Sequence, residues 1–240
     1  MADLSGKSGI RHDDIQLEVG CWVTTVRTPA MMGLLRDAGL QYGRVDMEHT
    51  PISIETVGEL AVAASAIEFA LSVRLPNGNP EWIARGLHAG ASRLCIPQVS
   101  SPEYAHAIVD AVRREAARGR PHLTIMLETV ESIQGIDELC AVPGVDAVTM
   151  GPADLAQELG IWGTSDEKPV TTEYQHRLLE AAHRHGKQFE IGVWSKDDVE
   201  EWIGAGADLL TYHTDTDMLR LGLHEAVRRA RAASEEMEGS

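Results

Sequence analysis

Two acidic residues stand at matching places in consecutive strand–helix units, and they are the side chains best suited to chemistry. Glu128 follows the apolar run 123–127, and Asp154 follows the apolar run 145–150 after a short turn at 151–153. Ligands bind at the carboxyl ends of parallel strands, so the two carboxylates should meet there. Their oxygens suit a hard divalent cation such as Mg²⁺ or Mn²⁺. Either acid alone could instead stabilise a helix N-terminus, but the matching placement favours the metal.

Further polar residues follow the predicted second and third strands. Asp46 precedes His49 by three positions, and a carboxylate that orients an imidazole is a recurring acid–base arrangement. A loop histidine bonded to backbone is the alternative. Arg74 ends the third strand, where a guanidinium could stabilise an enolate or bind a carboxylate. A salt bridge from Arg74 to Glu48 is its alternative.

Two aromatic residues complete the predicted set. Trp22 lies in the first strand and His213 ends the eighth, so both are candidates for substrate binding, although each could simply be packed or buried. The turn at 151–153 opens a helix, and its free N–H groups would form an anion site beside the metal. No strand ends in lysine, which disfavours Schiff-base chemistry and leaves a metal to stabilise an enolate.

The elements that must position these residues alternate strictly between strand and helix. Glycines expected to end helices, such as Gly39, Gly90 and Gly206, precede several strands. Eight such units predict a (β/α)₈ barrel in a single domain over residues 17–232. An N-terminal arm over 1–16 and a disordered tail over 233–240 are expected to flank it. The predicted strands are 17–24, 42–47, 69–73, 93–96, 123–127, 145–150, 188–193 and 209–213.

Composition narrows the class of protein. The 240 residues carry a formal net charge of −16, from 37 acidic and 21 basic side chains, which disfavours nucleic acids and anionic membranes as partners. No apolar run approaches ~18 residues, and the start lacks the apolar core of a signal peptide. We therefore expect a cytoplasmic protein without a membrane span. The three cysteines form no CxxC pair and are expected to be buried and inert.

Four short segments of the sequence form a recognisable set. They are Val-Asp-Met-Glu-His-Thr-Pro at 45–51, Val-Arg-Leu-Pro at 73–76, Leu-Glu-Thr-Val-Glu-Ser at 127–132 and Met-Gly-Pro-Ala-Asp-Leu at 150–155. Together they resemble the HpcH/HpaI family of class II pyruvate aldolases. The resemblance implies a (β/α)₈ barrel that is a divalent-metal carbon–carbon lyase. Such an enzyme acts on a 4-hydroxy-2-oxo acid through a metal-bound pyruvate enolate. It also implies a homo-oligomer, a hexamer or dimer in which the last helix is exchanged.

The same resemblance assigns a role to each candidate residue. The cation would be Mg²⁺ or Mn²⁺, with Co²⁺ a further candidate, and the small-molecule substrate would be a 2-oxo acid. The implied roles are Glu128 and Asp154 as metal ligands, His49 with Asp46 as acid–base, Arg74 at the enolate oxygen, Gly151, Pro152 and Ala153 at the carboxylate, and Trp22 near the pyruvate methyl.

Three departures from the family pattern leave the reaction open at this point. The segment before the fifth strand is reduced to 118–121, Met126 stands where glutamine is frequent, and His213 replaces a small residue. One alternative keeps the enolate in a citrate-synthase-like condensation, a decarboxylation or a tautomerisation. A catalytically inactive barrel that serves as a binding protein is the other.

Overall fold

A closed barrel of eight parallel strands forms the centre of the protein, as predicted. The structure is a computed structural model and describes residues 17–116 and 119–238. The predicted arm over 1–16 lies outside the described residues. The strands pair in chain order and β8 closes on β1. They are β1 Glu18–Val23, β2 Tyr42–Asp46, β3 Ala70–Arg74, β4 Arg93–Ile96, β5 His122–Leu127, β6 Ala147–Met150, β7 Gln188–Val193 and β8 Leu209–Thr214.

Helices follow the strands and cover the outside of the barrel, where apolar side chains from both layers form one large core cluster. Among the described residues, none of these helices is long and apolar enough to cross a bilayer. The helices are α1 Ala30–Asp37, α2 Ile54–Ala66, α3 Pro80–Ala89, α4 Pro102–Glu115, α5 Val130–Gln134, α6 Ile136–Cys140, α7 Pro152–Glu158, α8 Glu167–Arg184, α9 Lys196–Ala205 and α10 Asp215–Glu238.

Local sequence explains where many helices begin and end. The hydroxyls of Ser53, Ser101 and Ser195 accept hydrogen bonds from the first turns of α2, α4 and α9, which satisfies backbone donors that have no partner inside the helix. Gly90 and Gly206 end α3 and α9 with φ of 105° and 95°, a left-handed conformation that glycine adopts without strain.

The ends of α8 and α10 complete the outer layer of helices. Helix α8 begins at Glu167, and Pro169 lies in its first turn. A proline is tolerated there because the first-turn N–H groups have no partner inside the helix. Helix α10 continues to Glu238, so the predicted boundary at 232 is not a helix end.

A bulge at the end of β8 changes which residues face the inside of the barrel. Gly20 pairs with Thr211, but Trp22, two residues on, pairs with Thr214, three residues on. The extra residue in β8 is accommodated at His213, whose φ is 50°. Because side chains alternate between faces along a strand, one inserted residue reverses the alternation beyond it. The inward position near the strand end is therefore held by Thr214.

Candidate active site

The carboxyl ends of the strands surround a cavity of about 430 Å³. Its wall includes most of the predicted site residues, which are Trp22, Asp46, His49, Arg74, Gly151, Pro152, Ala153 and Asp154. Glu128 and His213 are not on this wall. The fold therefore brings the predicted residues that follow β1, β2, β3 and β6 around one cavity. Glu128 lies next to this wall, against Gly151.

Glu128, at the end of β5, is a buried carboxylate that is only half satisfied. Its Oε1 accepts a hydrogen bond from the Gln98 backbone N–H at 2.8 Å, and Gln98 has a φ of 54°. Its Oε2 is buried and, within the described residues, has no hydrogen-bond partner. The Glu128 pKa is raised to about 7, mainly by burial; the Gln98 N–H lowers the pKa, and the negative charges of Glu48 and Asp154 raise it.

Gly151 explains how a helix can start so close to this carboxylate. A Cβ at position 151 would lie well inside 3.0 Å of Glu128 Oε2, a separation that real Cβ atoms essentially never show. The φ of Gly151 is −89°, so the glycine is required for space and not for backbone conformation. Asp154 lies in the first turn of α7, which Gly151 caps.

The residues present suit a divalent cation. Burial raises the pKa of Glu48 and of Glu128, and the negative charge of Asp154 raises both further. The buried Glu128 Oε2 has no hydrogen-bond partner in the described part of the chain. The Glu128 carboxylate is therefore left without an ion-pair partner among the described residues. No three His, Cys, Asp or Glu side chains among the described residues could enclose a metal. A cation would thus have two carboxylate ligands and open positions, a pattern usual for Mg²⁺.

Asp46 pairs with Arg74 rather than with the His49 ring. Arg74 Nε and Nη2 donate to the two Asp46 oxygens at 2.9 and 2.7 Å. Asp46 Oδ1 also accepts from the backbone N–H groups of Glu48 and His49. Burial raises the Asp46 pKa, but the hydrogen bonds and charge of Arg74 outweigh it, and the net pKa is lowered. The predicted carboxylate–imidazole contact is absent from the described structure because β2 and β3 place Asp46 and Arg74 side by side.

His49 reaches the cavity from the loop after β2. Its side chain is 52% exposed, and its Nε2 lies 3.6 Å from Glu48 Oε2 and 3.7 Å from Asp154 Oδ2. Arg74 Nη1 lies 3.3 Å from the same Glu48 oxygen. The proposed alternative for Arg74, a pair with Glu48, therefore exists beside its pair with Asp46. Both contacts aim the guanidinium at the cavity mouth.

A buried ion pair that the sequence analysis did not identify forms the cavity floor. Arg44 and Glu190 are 2% and 1% exposed and bond through both Glu190 oxygens, with Nη2 to Oε2 at 2.7 Å. Thr211 donates to Glu190 Oε1 at 2.7 Å. The Arg44 and Arg74 guanidinium carbons lie 5.5 and 4.6 Å from the centroid of the Trp22 ring. The Trp22 ring therefore makes cation–π contacts with two arginines.

His213 does not occupy the place predicted for it. Its side chain turns toward α10, with Nδ1 3.9 Å from Asp217 Oδ2, and its ring packs edge-on against Tyr212. The β8 bulge is the reason, because it moves Thr214 onto the cavity wall in place of residue 213. The prediction that His213 binds substrate is therefore not supported by its position.

Other cavity residues carried no motif by which sequence reasoning could find them. Arg44 and Glu190 were detectable only as charged residues inside predicted buried strands, an unusual placement that indicates an internal pair. The remaining residues on the wall include Met126, Thr149, Gln157, Gln175, Trp194 and Thr214.

Comparison with known proteins agrees with this geometry. A sequence model described as HpcH/HpaI aldolase/citrate lyase matches residues 18–220. The 5-keto-4-deoxy-D-glucarate aldolases of Shigella dysenteriae serotype 1 (strain Sd197) and Escherichia coli O139:H28 (strain E24377A / ETEC) are each 29% identical over 230 residues, covering 85% of this chain and 89% of the relative. An HpcH/HpaI aldolase/citrate lyase family protein from Burkholderia cenocepacia J2315 superposes with a TM-score of 0.83 at 25% identity, covering 92% of this chain and 96% of that one.

Proposed function

Because this chain belongs to the HpcH/HpaI aldolase/citrate lyase family and is a metal-dependent lyase of the aldolase type, we propose that it cleaves or forms the C3–C4 bond of a 4-hydroxy-2-oxo acid. The substrate named for two of its relatives, 5-keto-4-deoxy-D-glucarate, belongs to this chemical class. Its keto group adjoins one carboxylate, and a hydroxyl lies two carbons beyond the keto carbon. Cleavage of the bond between the hydroxyl-bearing carbon and the methylene carbon next to the keto group gives pyruvate and an aldehyde.

The observation that carries the proposal is the half-satisfied carboxylate of Glu128. Its buried Oε2 and the negative charges of Glu48 and Asp154 form a place where positive charge is needed. A divalent cation bound by Glu128 and Asp154 would polarise the keto group and offset the negative charge that develops there. A barrel that served only as a binding protein would not require this unmatched charge at the mouth.

Arg74 is the fixed cation of the site. Its two hydrogen bonds to Asp46 and its contact with Glu48 leave the guanidinium one defined orientation on the cavity wall. Such a preorganised cation stabilises an oxyanion without having to rearrange as the charge develops. Arg74 would therefore lie at the oxygen of the enolate when the C3–C4 bond breaks and its electron pair moves into the enolate.

His49 is the proton carrier in this proposal. Cleavage requires a base to take the proton of the C4 hydroxyl as that carbon becomes an aldehyde, and the enolate then needs a proton at C3 to become pyruvate. An imidazole suits both transfers near neutral pH. Its contacts with Glu48 and Asp154, rather than with Asp46, keep the ring beside the proposed metal ligands.

The metal site can be tested without an activity assay. Glu128→Gln and Asp154→Asn should each lose the bound cation while the protein remains folded, because both residues lie at the barrel mouth and not in the core. Elemental analysis of purified protein, with circular dichroism as the folding check, gives the result. Asp137→Asn, which changes a carboxylate on α6, is the matched control. Stoichiometric metal in both site variants would contradict the assignment.

Three finer points belong to the same proposal. Oxygen ligands favour Mg²⁺ or Mn²⁺, with Co²⁺ a further candidate.

A homo-oligomer, a hexamer or dimer, is supported by the exposed leucines of α10, where Leu219 and Leu223 are 55% and 66% exposed. Light scattering during gel filtration tests this state. A cytoplasmic location is the third point, and fractionation of cells that produce the protein tests it.

A further inference from the structure

The cavity wall outside the proposed metal ligands and Arg74 is the part left for an aldehyde partner to contact. It is built from β1, β6, β7, β8 and α8, and it carries Trp22, Thr149, Gln175 and Thr214 above the Arg44–Glu190 floor. If the function proposed above is correct, this wall selects the second product of cleavage. Its charges and its unused hydrogen-bonding groups indicate the chemistry of that product.

Both arginines on this cavity wall already have carboxylate partners. The Arg44 guanidinium bonds to both oxygens of Glu190, and the Arg74 guanidinium bonds to both oxygens of Asp46 and contacts Glu48. Among the described residues that line the cavity, no lysine or third arginine is present. A second carboxylate on the substrate would therefore meet Arg44, which Glu190 already neutralises, and Arg74, which the proposed function places at the enolate oxygen.

Neutral hydrogen-bonding groups, in contrast, are available. The Thr149 hydroxyl on β6 and the Gln175 amide on α8 both line the cavity, and their residues are 4% and 7% exposed. Within the described part of the chain, neither side chain hydrogen-bonds to protein. Neither residue has a fully buried unpaired atom, so these groups open onto the cavity, where a ligand that offers hydroxyl groups would hydrogen-bond to them.

We propose that the aldehyde half of the substrate is an uncharged, hydroxyl-bearing aldehyde that Thr149 and Gln175 recognise, and that the Arg44–Glu190 pair disfavours a terminal carboxylate. The selectivity has two sources: the Thr149 and Gln175 side chains are free to bind hydroxyl groups, and Arg44 is already neutralised by Glu190. A site with unpaired polar groups discriminates strongly against a partner that cannot satisfy them.

The direct test compares two aldehydes of equal carbon number in aldol addition to pyruvate. Glyceraldehyde ends in a hydroxymethyl group, and 2-hydroxy-3-oxopropanoate carries a carboxylate at that position. With the wild-type protein and added Mg²⁺ or Mn²⁺, kcat/KM should be at least about tenfold higher for glyceraldehyde. Equal values, or a preference for the carboxylate, would overturn the inference.

Two variants assign the selectivity to named groups. Thr149→Val and Gln175→Met keep side-chain size, and each should lower kcat/KM for glyceraldehyde by about 5–10-fold, the usual effect of one lost neutral hydrogen bond. Neither should change kcat/KM for propionaldehyde, which has no hydroxyl. An equal loss with both aldehydes would indicate a structural effect and contradict the proposed recognition.

A third variant tests the floor of the cavity. Glu190→Gln leaves Arg44 without its charge partner, so the preference for glyceraldehyde over 2-hydroxy-3-oxopropanoate should fall by at least about fivefold. Asp137→Asn is the matched control, because it frees Arg184 on the outside of the barrel. It should leave the preference unchanged. An unchanged preference in folded Glu190→Gln protein would show that the Arg44–Glu190 pair does not disfavour the carboxylate.

One further readout separates this inference from the function on which it rests. Exchange of the pyruvate methyl protons with deuterated water requires enolate formation but no aldehyde. Exchange together with a preference for the carboxylate aldehyde would overturn the inference and leave the proposed function intact. Absence of exchange would overturn the proposed function and this inference with it.

Discussion

Replacement of Gly151 by alanine tests the geometry of the site with a single methyl group. The added Cβ would overlap Glu128 Oε2 and would also lie 3.1 Å from the Glu128 carboxyl carbon and 3.3 Å from its Cβ. The backbone at position 151 has a φ of −89°, which alanine adopts freely. The substitution therefore acts through the position of the Glu128 carboxylate and not through backbone strain.

The size of the effect follows from the displacement that this clash demands. Glu128 is 2% exposed, and its Oε1 accepts a hydrogen bond from the Gln98 N–H. The clash with the added Cβ can therefore be removed only if the carboxylate moves away from the cavity. A displacement of about 1 Å at a catalytic group costs about 10²-fold in rate. We therefore expect Gly151→Ala to lower pyruvate methyl exchange about 10²-fold and to weaken metal binding.

Nuclear magnetic resonance follows the loss of the pyruvate methyl signal in deuterated water, and isothermal titration with Mn²⁺ gives the metal affinity. Gly33→Ala is the control, because a Cβ at this position in α1 meets nothing within 4 Å. Alanine in a helix is more stable than glycine by about 0.5–1 kcal/mol, so the control should be at least as stable as wild type. Exchange within twofold of wild type in Gly151→Ala would refute the proposed position of Glu128.

Substitutions at three further positions test the roles of His49, Arg74 and Asp215. His49→Ala should reduce turnover about 10²–10⁴-fold, the usual range for a positioned general base, with Mn²⁺ affinity by titration nearly unchanged; a comparable loss of metal affinity would contradict this role. Arg74→Ala should lower kcat about 10²–10³-fold, and Arg74→Lys should restore little because an ammonium group cannot reproduce the two bonds to Asp46; near-normal turnover in Arg74→Ala would leave only a structural pair. Asp215 accepts hydrogen bonds from the N–H groups of Thr25 and Val26. Burial raises the Asp215 pKa, but these bonds outweigh burial and lower the net pKa below its ordinary value of 3.8. The stabilisation by Asp215 is therefore complete above pH 3.8 and is lost as the pH falls through the lower pKa of the folded state. Asp215→Asn should therefore cost about 1–3 kcal/mol in urea unfolding at pH 6 and progressively less below pH 3.8, and a cost independent of pH would contradict the assignment.

The architecture could be predicted because strands and helices alternate with clear boundaries. The buried strand residues form apolar runs, and serine caps such as Ser53 and Ser195 mark helix starts at the places where the structure has them. Because ligands bind at the carboxyl ends of parallel strands, Asp46, His49, Arg74 and Asp154 could be predicted to share one cavity, and the structure has all four on its wall. This much follows from periodicity and chain direction alone.

The remaining features depend on contacts between strands, which the sequence does not state. Asp46 lies three positions from His49 in the chain, but its carboxylate pairs with Arg74 on the neighbouring strand. The β8 bulge inserts one residue and exchanges His213 for Thr214 on the cavity wall. The Arg44–Glu190 pair joins β2 to β7 across the barrel interior, and neither residue indicates its partner along the chain.

The central claim is that this barrel generates an enolate from a 2-oxo acid and that Glu128 and Asp154 bind the cation required. Exchange of the pyruvate methyl protons in deuterated water tests it most directly, because no aldehyde partner needs to be known. We predict exchange with added Mg²⁺ or Mn²⁺, none in excess chelator, recovery when the metal is returned, and no exchange in Glu128→Gln at the same metal concentration. Full exchange in excess chelator, or equal exchange in Glu128→Gln, would contradict the claim.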